Sequence, residues 1–238
     1  MIILALDTCD SRGSVAVLRD DEVLKTIAHE GKTEYSIWLL PAVDEALKAS
    51  GFGMRDVELF AVAPGPGSFT GVRMGLTTVK AWSEVYGKGI AGVSRLEAMA
   101  AAAAGGNGYI AAFFDAHRDQ IYAGLFRRQA AGLALVEAEM AAAPADFVGW
   151  VAQRTGNERV SWISMEPEKL TTQEAWQVRA VAGESIEAST KVLAPVIGRI
   201  GRRRSFERRL TDALQLDAEY VRRPDAEVFW KGKAKSGS

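Results

Sequence analysis

Two apolar segments of the chain each end in an aspartate and are followed by a short turn and a second apolar segment. The first pair spans residues 2–18 around Asp7, and the second spans residues 109–126 around Asp115. Apolar runs of this length are typical of strands that are buried on both faces. The repetition therefore predicts a weak internal duplication of one strand–turn–strand unit.

Helical and extended patterns alternate after the first unit. A third strand at 23–28 completes an antiparallel meander, and helices are predicted at 36–49, 72–86 and 94–104, with short strands at 59–63 and 89–93 between them. This order predicts an α/β fold with helices packed on a mixed sheet. A glycine-rich break at 105–108 suggests a boundary. We expect an N-terminal lobe at 1–104, a C-terminal lobe at 105–230 with a helix at 189–214, and a flexible tail at 231–238.

Composition excludes several classes of protein. The 238 residues are 48% apolar and 25% charged, which is ordinary for a globular chain and unlike a disordered, collagen-like or coiled-coil protein. No stretch approaches the roughly 20 apolar residues of a membrane span. The N-terminus lacks a basic leader, and the single cysteine, Cys9, suits a reducing compartment. A cytoplasmic protein is the expectation.

A glycine-rich turn joins the predicted strand at 59–63 to the next helix. Its backbone N–H groups could cradle an anion at the helix start, although no lysine follows the last glycine as in a P-loop, and Thr70 stands where a dinucleotide motif has its third glycine. The alternative is a tight connection with close helix–sheet packing, which we favour from composition alone. The residues singled out are Gly65, Gly67, Ser68, Thr70, Gly71 and Arg73.

The polar residues near the strand ends give weaker signals. Asp7 with Thr8 resembles an arrangement that handles phosphate or metal-bound water in sugar kinases and related ATPases, but both residues are also common in turns. Around Asp115, a salt-bridged hairpin is favoured over a carboxylate site. Histidines 29 and 117 are too far apart in sequence to suggest a metal centre, and no nucleophile–base arrangement is evident.

Charge and apolar surface suggest two possible contact regions. Six arginines lie within residues 199–209. They could contact the phosphates of a nucleic acid, or they could form a solvated helix face. Charge pattern alone favours the solvated face. The helix at 36–49 carries three consecutive large apolar residues, beginning at Trp38, which exceed what one buried face requires. An exposed patch for a partner helix is therefore plausible.

These motifs together resemble the TsaB (YeaZ) family of bacterial tRNA-modification proteins over nearly the whole chain. The most specific match is the glycine turn, residues 65–73, and further matches lie in the opening strand with Asp7, at 39–41, 92–94 and 115–124, and at 219–227. The resemblance implies an actin-like (ASKHA) fold of two lobes, which would account for the duplicated units.

The resemblance also implies a role without catalysis. Family members pair with a paralogue, TsaD, which transfers a threonylcarbamoyl group to the adenosine next to the anticodon of ANN-decoding tRNAs, and the ATPase TsaE docks on that pair. ATP and metal are expected on these partner subunits. We expect no cofactor, metal or catalytic residue in this chain, contact with tRNA only through the complex, and homodimers as an alternative assembly.

The resemblance further implies where the partner binds. The helices at 36–49 and 70–85 would form a four-helix arrangement with two helices of the partner. The candidate interface residues are Trp38, Leu39, Val43, Val72, Leu76 and Val79. Relatives often carry a His–Ser or His–Thr pair where this chain has Tyr35 and Ser36, which leaves the detailed geometry of the interface open. The candidates for tRNA contact are Arg199, Arg202 and Arg203.

Two other functions remain as alternatives. The chain could be a stand-alone actin-fold phosphotransferase that uses ATP through Asp7 and the glycine turn. It could also bind tRNA directly through the arginines after residue 198, although one basic helix on a chain of net charge −1 predicts weak affinity.

Overall fold

The computed structural model describes residues 1–31, 33–130 and 132–221. The predicted tail at 231–238, and the last part of the motif at 219–227, lie outside these residues.

The first sheet has five strands and contains the predicted meander. Strand β1 lies at its centre, antiparallel to β2 and parallel to β4, and the sheet order is β3-β2-β1-β4-β5. Because β1 has neighbours on both sides and all its residues are buried, its continuous apolar sequence is explained. The strands are β1 (Ile2–Asp7), β2 (Ser14–Arg19), β3 (Glu22–Ala28), β4 (Leu59–Val62) and β5 (Ile90–Gly92).

The second sheet repeats this topology. Its order is β11-β10-β6-β7-β8, with β6 antiparallel to β7 and parallel to β10, so β6 stands where β1 does. The predicted duplication is thus confirmed, with β9 as an addition that pairs with β7. The strands are β6 (Gly108–His117), β7 (Gln120–Gln129), β8 (Gly132–Leu135), β9 (Met140–Ala142), β10 (Val160–Ser164) and β11 (Ile186–Ala188).

Seven α-helices lie within the described residues, together with one 3₁₀ turn at Met54–Asp56. They are α1 (Tyr35–Ala49), α2 (Phe69–Tyr86), α3 (Arg95–Ala102), α4 (Pro144–Thr155), α5 (Glu168–Thr171), α6 (Glu174–Val181) and α7 (Ala194–Phe206). The last is shorter than the predicted helix at 189–214, because Arg208 adopts a left-handed backbone conformation with φ of 56° that ends it. Pro41 lies inside α1, which continues past it.

The C-terminal helix returns to the first sheet. On α7, a Cβ added at Gly198 would contact Ala5 of β1, and one at Gly201 would contact Ala61 of β4, so the helix lies directly on small side chains of that sheet. Phe60, the neighbour of Ala61, points to the opposite face and contacts Trp82 of α2. The first sheet is therefore covered on both faces, and the predicted assignment of residues 105–230 to one lobe is wrong for α7.

The two sheets share one hydrophobic core. Alternate residues of β6, such as Ala112 and Phe114, belong to the core that includes the first sheet and α3, whereas Phe113 belongs to a second core beneath α4 and α6. The second core is rich in aromatic side chains, including Phe147 and Trp162. The two halves of the chain are therefore packed against each other through apolar contacts.

None of the helices in the described ranges is both long enough and apolar enough to cross a bilayer.

Candidate functional site

The two helices predicted to bind a partner direct most of their large apolar residues into the chain's own core. Five of the six candidate interface residues are buried there: Leu39, Val43, Val72, Leu76 and Val79. A helical spacing of three to four identifies one face but not which way that face points. The prediction that these five residues contact a partner is therefore wrong, because the helix faces that carry them lie against the first sheet.

The sixth candidate, Trp38, is half-buried in an aromatic cluster. Its ring lies 4.8 Å from that of His29 and 5.7 Å from that of Tyr35. The Tyr35 hydroxyl donates a 2.5 Å hydrogen bond to the Asp10 carbonyl, and both ring nitrogens of His29 lie 2.8 Å from main-chain carbonyl oxygens. Burial raises the pKa of Tyr35, so the hydroxyl stays protonated and donating. The cluster anchors the start of α1 to the β1–β2 hairpin.

The outer face of α1 is apolar in its first half. The side chains of Ile37 and Leu40 are 67% and 57% exposed, and Pro41 lies beside them. The second half is polar, with an ion pair of 2.7 Å between Asp44 and Lys48. We call Ile37, Leu40 and Pro41 the α1 patch. It is the part of α1 that another protein could cover.

The glycine turn is packed tightly against the segment that follows β1. A Cβ at Gly71 would overlap the carbonyl oxygen of Thr8, and one at Gly67 would overlap that of Cys9. The Thr8 hydroxyl donates to the Gly71 carbonyl at 2.7 Å, and the Ser68 N–H donates to the Cys9 carbonyl at 2.6 Å. The need for close backbone approach therefore accounts for these glycines. Anion binding at this turn stays a prediction.

A short C-terminal segment crosses the same turn. We call residues 219–221 the C-terminal strap. The Glu219 N–H donates to the Pro64 carbonyl at 2.9 Å, and the ring of Tyr220 stacks on that of Phe69. The Arg73 guanidinium lies over the Phe69 ring, with its Cζ 3.7 Å from the ring centroid. Its Nε donates a hydrogen bond to the Tyr220 hydroxyl at 2.9 Å. The structure thus joins two motifs that are far apart in the sequence.

Asp7, the strand-end carboxylate, is paired with a residue that the sequence did not single out. Arg95, the first residue of α3, donates from Nε to Asp7 Oδ2 at 3.2 Å, and both side chains are fully buried. The other carboxylate oxygen accepts the Cys9 N–H at 3.0 Å. Arg95 also lies 3.6 Å from a carboxylate oxygen of Asp10. No local sequence signal indicates this pair, because its two members lie 88 residues apart.

Asp115 occupies the corresponding position in the second sheet and is also paired. Lys169 lies 3.1 Å from its Oδ1, which also accepts the His117 N–H at 2.9 Å. Partial burial acts to raise the pKa of Asp115, but these hydrogen bonds outweigh burial and lower it overall. Asp115 is thus salt-bridged, as predicted, but its cation comes from α5 and not from within the hairpin.

The arginines predicted to contact tRNA make contacts within the chain. Arg199 donates to the Asp21 carbonyl at 3.0 Å, Arg202 lies 2.8 Å from the Asp21 carboxylate, and Arg203 lies 3.7 Å from Glu207. These acidic partners reduce the positive field of α7. Contact with tRNA stays a prediction.

A cavity of about 650 Å³ lies beside α3, β8 and the strap. Glu139 and Glu219 line it, together with the ion pair of Arg204 and Glu97. Burial is the main reason that the pKa of Glu139 rises to about 7. A hydrogen bond from Ser94 lowers this pKa, whereas the nearby charges of Glu219 and Glu97 raise it further. Within the described ranges, His, Cys, Asp and Glu side chains form no group of three that could hold a metal ion.

Comparison with known proteins identifies relatives. The family model "TsaD: tRNA N6-adenosine threonylcarbamoyltransferase" matches residues 22–191. The chain is 38% identical over 127 residues to the tRNA threonylcarbamoyladenosine biosynthesis protein TsaB of Bacillus subtilis, covering 53% of this chain and 56% of that protein. It is 34% identical over 137 residues to the same-named protein of Escherichia coli, covering 56% and 58%. The chain thus spans about half the length of the curated relatives it matches.

Solved structures share the fold. YeaZ from Pseudomonas aeruginosa superposes with a TM-score of 0.70 at 23% identity, covering 92% of this chain and 99% of that one. The activator of 2-hydroxyisocaproyl-CoA dehydratase from Clostridium difficile, solved with bound ADPNP, superposes with a TM-score of 0.52 at 10% identity, covering 87% and 97%. The predicted actin-like fold of two mixed sheets is confirmed.

A nucleotide bound by this chain would bring a divalent cation, and the end of β1 offers the carboxylates of Asp7 and Asp10. A protein site for Mg²⁺ on a nucleotide supplies one or two free carboxylates. In this chain, both oxygens of Asp7 already accept hydrogen bonds, and the Arg95 guanidinium lies between Asp7 and Asp10. A second cation there would meet a fixed positive charge, so the residues do not fit the group.

The family model covers well over half of the chain, and the matching sequences and the fold agree with it. The chain belongs to the family of the tRNA N6-adenosine threonylcarbamoyltransferase TsaD and, within that family, to the TsaB (YeaZ) group.

Proposed function

We propose that this chain is a non-catalytic subunit in the biosynthesis of threonylcarbamoyladenosine in tRNA. In this proposal it binds a TsaD paralogue and keeps that catalytic subunit competent, and the ATPase TsaE docks on the pair. ATP and metal belong to the partner subunits, tRNA is contacted through the assembled complex, and the assembly works in the cytoplasm. The names of the curated relatives support the pathway.

The α1 patch is the observation that carries the proposal. Ile37 and Leu40 are large apolar side chains that remain mostly exposed, whereas the buried apolar residues of α1 belong to the core of the chain itself. The aromatic cluster of His29, Tyr35 and Trp38 holds this end of the helix against the β1–β2 hairpin. A rigid apolar patch can bind a partner at little cost in conformational entropy.

The absence of catalysis is supported by how the candidate groups are used. Asp7 and Asp115, the two carboxylates that the duplication places at equivalent strand ends, are each engaged by a cation of this chain. Cys9 is buried, and burial raises the pKa of its thiol, which disfavours the reactive thiolate. These are features of a structural subunit.

The reaction itself provides the first test. Threonylcarbamoyl transfer to an ANN-decoding tRNA is measured with purified TsaD and TsaE from the same cell, with and without this chain. We expect transfer only when the chain is present and no turnover of any substrate by the chain alone. Equal transfer in its absence would contradict the proposal.

Matched variants test the surface. The double variant I37E/L40E places charge on the α1 patch, whereas V178E/V181E places the same charge on α6, where the two valines are 76% and 88% exposed. We expect I37E/L40E to lose binding to TsaD in a pull-down and V178E/V181E to retain it, with both variants folded. Light scattering of the free variants distinguishes loss of the partner from loss of a homodimer that uses the same face.

A further inference from the structure

Arg95 occupies a central position in the molecule. It begins α3, which packs against β6, β7 and α7, and its main-chain N–H donates to the Gly65 carbonyl at 2.9 Å. The side chain is completely buried. A buried guanidinium is costly unless it is paired and hydrogen-bonded, so its surroundings define what it does.

The guanidinium touches both halves of the fold. Toward the first sheet it pairs with Asp7 at 3.2 Å and lies 3.6 Å from Asp10. Toward the second sheet its Nη2 lies 3.7 Å from the Met165 sulfur, and its Cζ lies 4.7 Å from the centre of the Phe114 ring. One side chain thus links the β1–β2 hairpin to the ends of β6 and β10.

The position is also one where a cation would otherwise be needed. Asp7 is fully buried and Asp10 is half-buried, and both carboxylates face the same guanidinium. A carboxylate removed from water requires an opposite charge nearby. A divalent cation could meet that requirement, but a guanidinium and a divalent ion cannot occupy the same place.

We infer that Arg95 is a built-in cation, which fills the cation position between Asp7 and Asp10 and clamps the two sheets in one fixed orientation. Asp115 in the second half is also paired with a cation of this chain, Lys169 of α5, although that pair is partly exposed. The clamp lies wholly within this chain and requires no partner subunit.

Two substitutions separate charge from packing. R95M keeps most of the volume beside Met165 and Phe114 but removes the charge, and R95K keeps the charge. Binding of Mn²⁺ is followed by titration with electron paramagnetic resonance detection of the free ion. We expect R95M to bind Mn²⁺ about tenfold more tightly than the wild type, because a positive charge close to the carboxylates is gone, and R95K to behave as the wild type.

The clamp is tested by a distance. Spin labels are attached through K48C on α1 and Q153C on α4, both exposed positions, while the native Cys9 is buried and unreactive. We expect the wild type and R95K to give one narrow distribution of label distances that Mg²⁺ with ADPNP leaves unchanged. The distribution of R95M should be broader.

Three results would overturn the inference: equal Mn²⁺ affinity of R95M and the wild type, equal widths of their distance distributions, or a shift of the wild-type distance on addition of Mg²⁺ and ADPNP. Should R95M fail to fold, the wild type and Asp10→Asn still decide the question. Mn²⁺ binding by the wild type that Asp10→Asn weakens would show that the position accepts an external cation.

Discussion

The rings of Phe69 and Tyr220 stack with their centroids 5.3 Å apart, although one belongs to the glycine turn and the other to the C-terminal strap. Arg73 completes the contact through a cation–π interaction with Phe69 and a hydrogen bond to the Tyr220 hydroxyl. Each motif therefore depends on the other for its position, which gives a physical reason for the aromatic residue in each.

Removing the tyrosine ring should release the strap. For Tyr220→Ala we expect a loss of about 1 kcal/mol in the free energy of unfolding, because an aromatic pair contributes roughly this amount beyond burial. Hydrogen exchange at residues 219–221 should become faster. Tyr220→Phe, which keeps the stack and loses only the hydroxyl, should retain most of the protection, and equal effects of the two substitutions would contradict a stacking role.

The buried ion pair should be far more sensitive than the neighbouring exposed one. Asp7→Asn leaves the Arg95 charge without its main partner inside the protein, and we expect a loss of about 3–5 kcal/mol in the free energy of unfolding. Asp10→Asn, at a side chain that is 39% exposed, should cost less than about 1 kcal/mol. Urea denaturation measures both. Similar costs would mean that burial does not set the strength of this interaction.

Two helical glycines should respond in opposite directions to alanine. At Gly71 the added methyl group would overlap the Thr8 carbonyl, which is backbone and cannot move aside, so we expect a loss of about 2 kcal/mol or more. At Gly149, within α4, nothing lies within 4 Å of the new Cβ, so Gly149→Ala should stabilise by about 0.5–1 kcal/mol. Thermal unfolding of the two variants gives the comparison. A stable Gly71→Ala would refute the close approach of α2 to residue 8.

The raised pKa of Glu139 should make stability depend on pH. Between its usual value of 4.5 and about 7, the folded protein holds this proton more tightly than the unfolded chain does. Stability from this group is therefore fully present below about pH 4.5 and is lost as the pH rises through 7. Glu139→Gln removes the titrating group, and we expect it to stabilise the protein by about 3 kcal/mol at pH 8 and not at pH 4.

Urea midpoints across the pH range measure this effect. Glu137→Gln is the control, because that carboxylate is exposed and its pKa is lowered by a hydrogen bond from Arg154. It should not stabilise at any pH. An unchanged pH profile for Glu139→Gln would contradict a buried, protonated Glu139.

Most of the fold could be predicted because its strongest signals are local. The apolar runs that end at Asp7 and Asp115 are continuous, so they identified central strands in both sheets. Because the two halves repeat one strand–turn–strand unit, the arrangement of the first half predicted that of β6 and β7 in the second. The return of α7 to the first sheet was missed, because an apolar face such as that of Ile197 and Ile200 does not show which sheet a helix packs on.

The candidate site was predicted less well. Helical spacing grouped Leu39 with Val43 but could not tell an inward face from an outward one, and the exposed neighbours Ile37 and Leu40 are equally apolar. The contacts of Arg95 and Glu139 join parts of the chain that are distant in sequence, and no local pattern records such pairing. The candidate functional residues were therefore those most dependent on tertiary structure.

The position of α7 has a consequence for synthesis. Synthesis completes the strands of the first sheet well before residues 194–206 are made, so Ala5 and Ala61 lack their α7 cover until that helix has emerged. A nascent chain, or one that terminates before residue 194, therefore exposes apolar surface on its earliest strands.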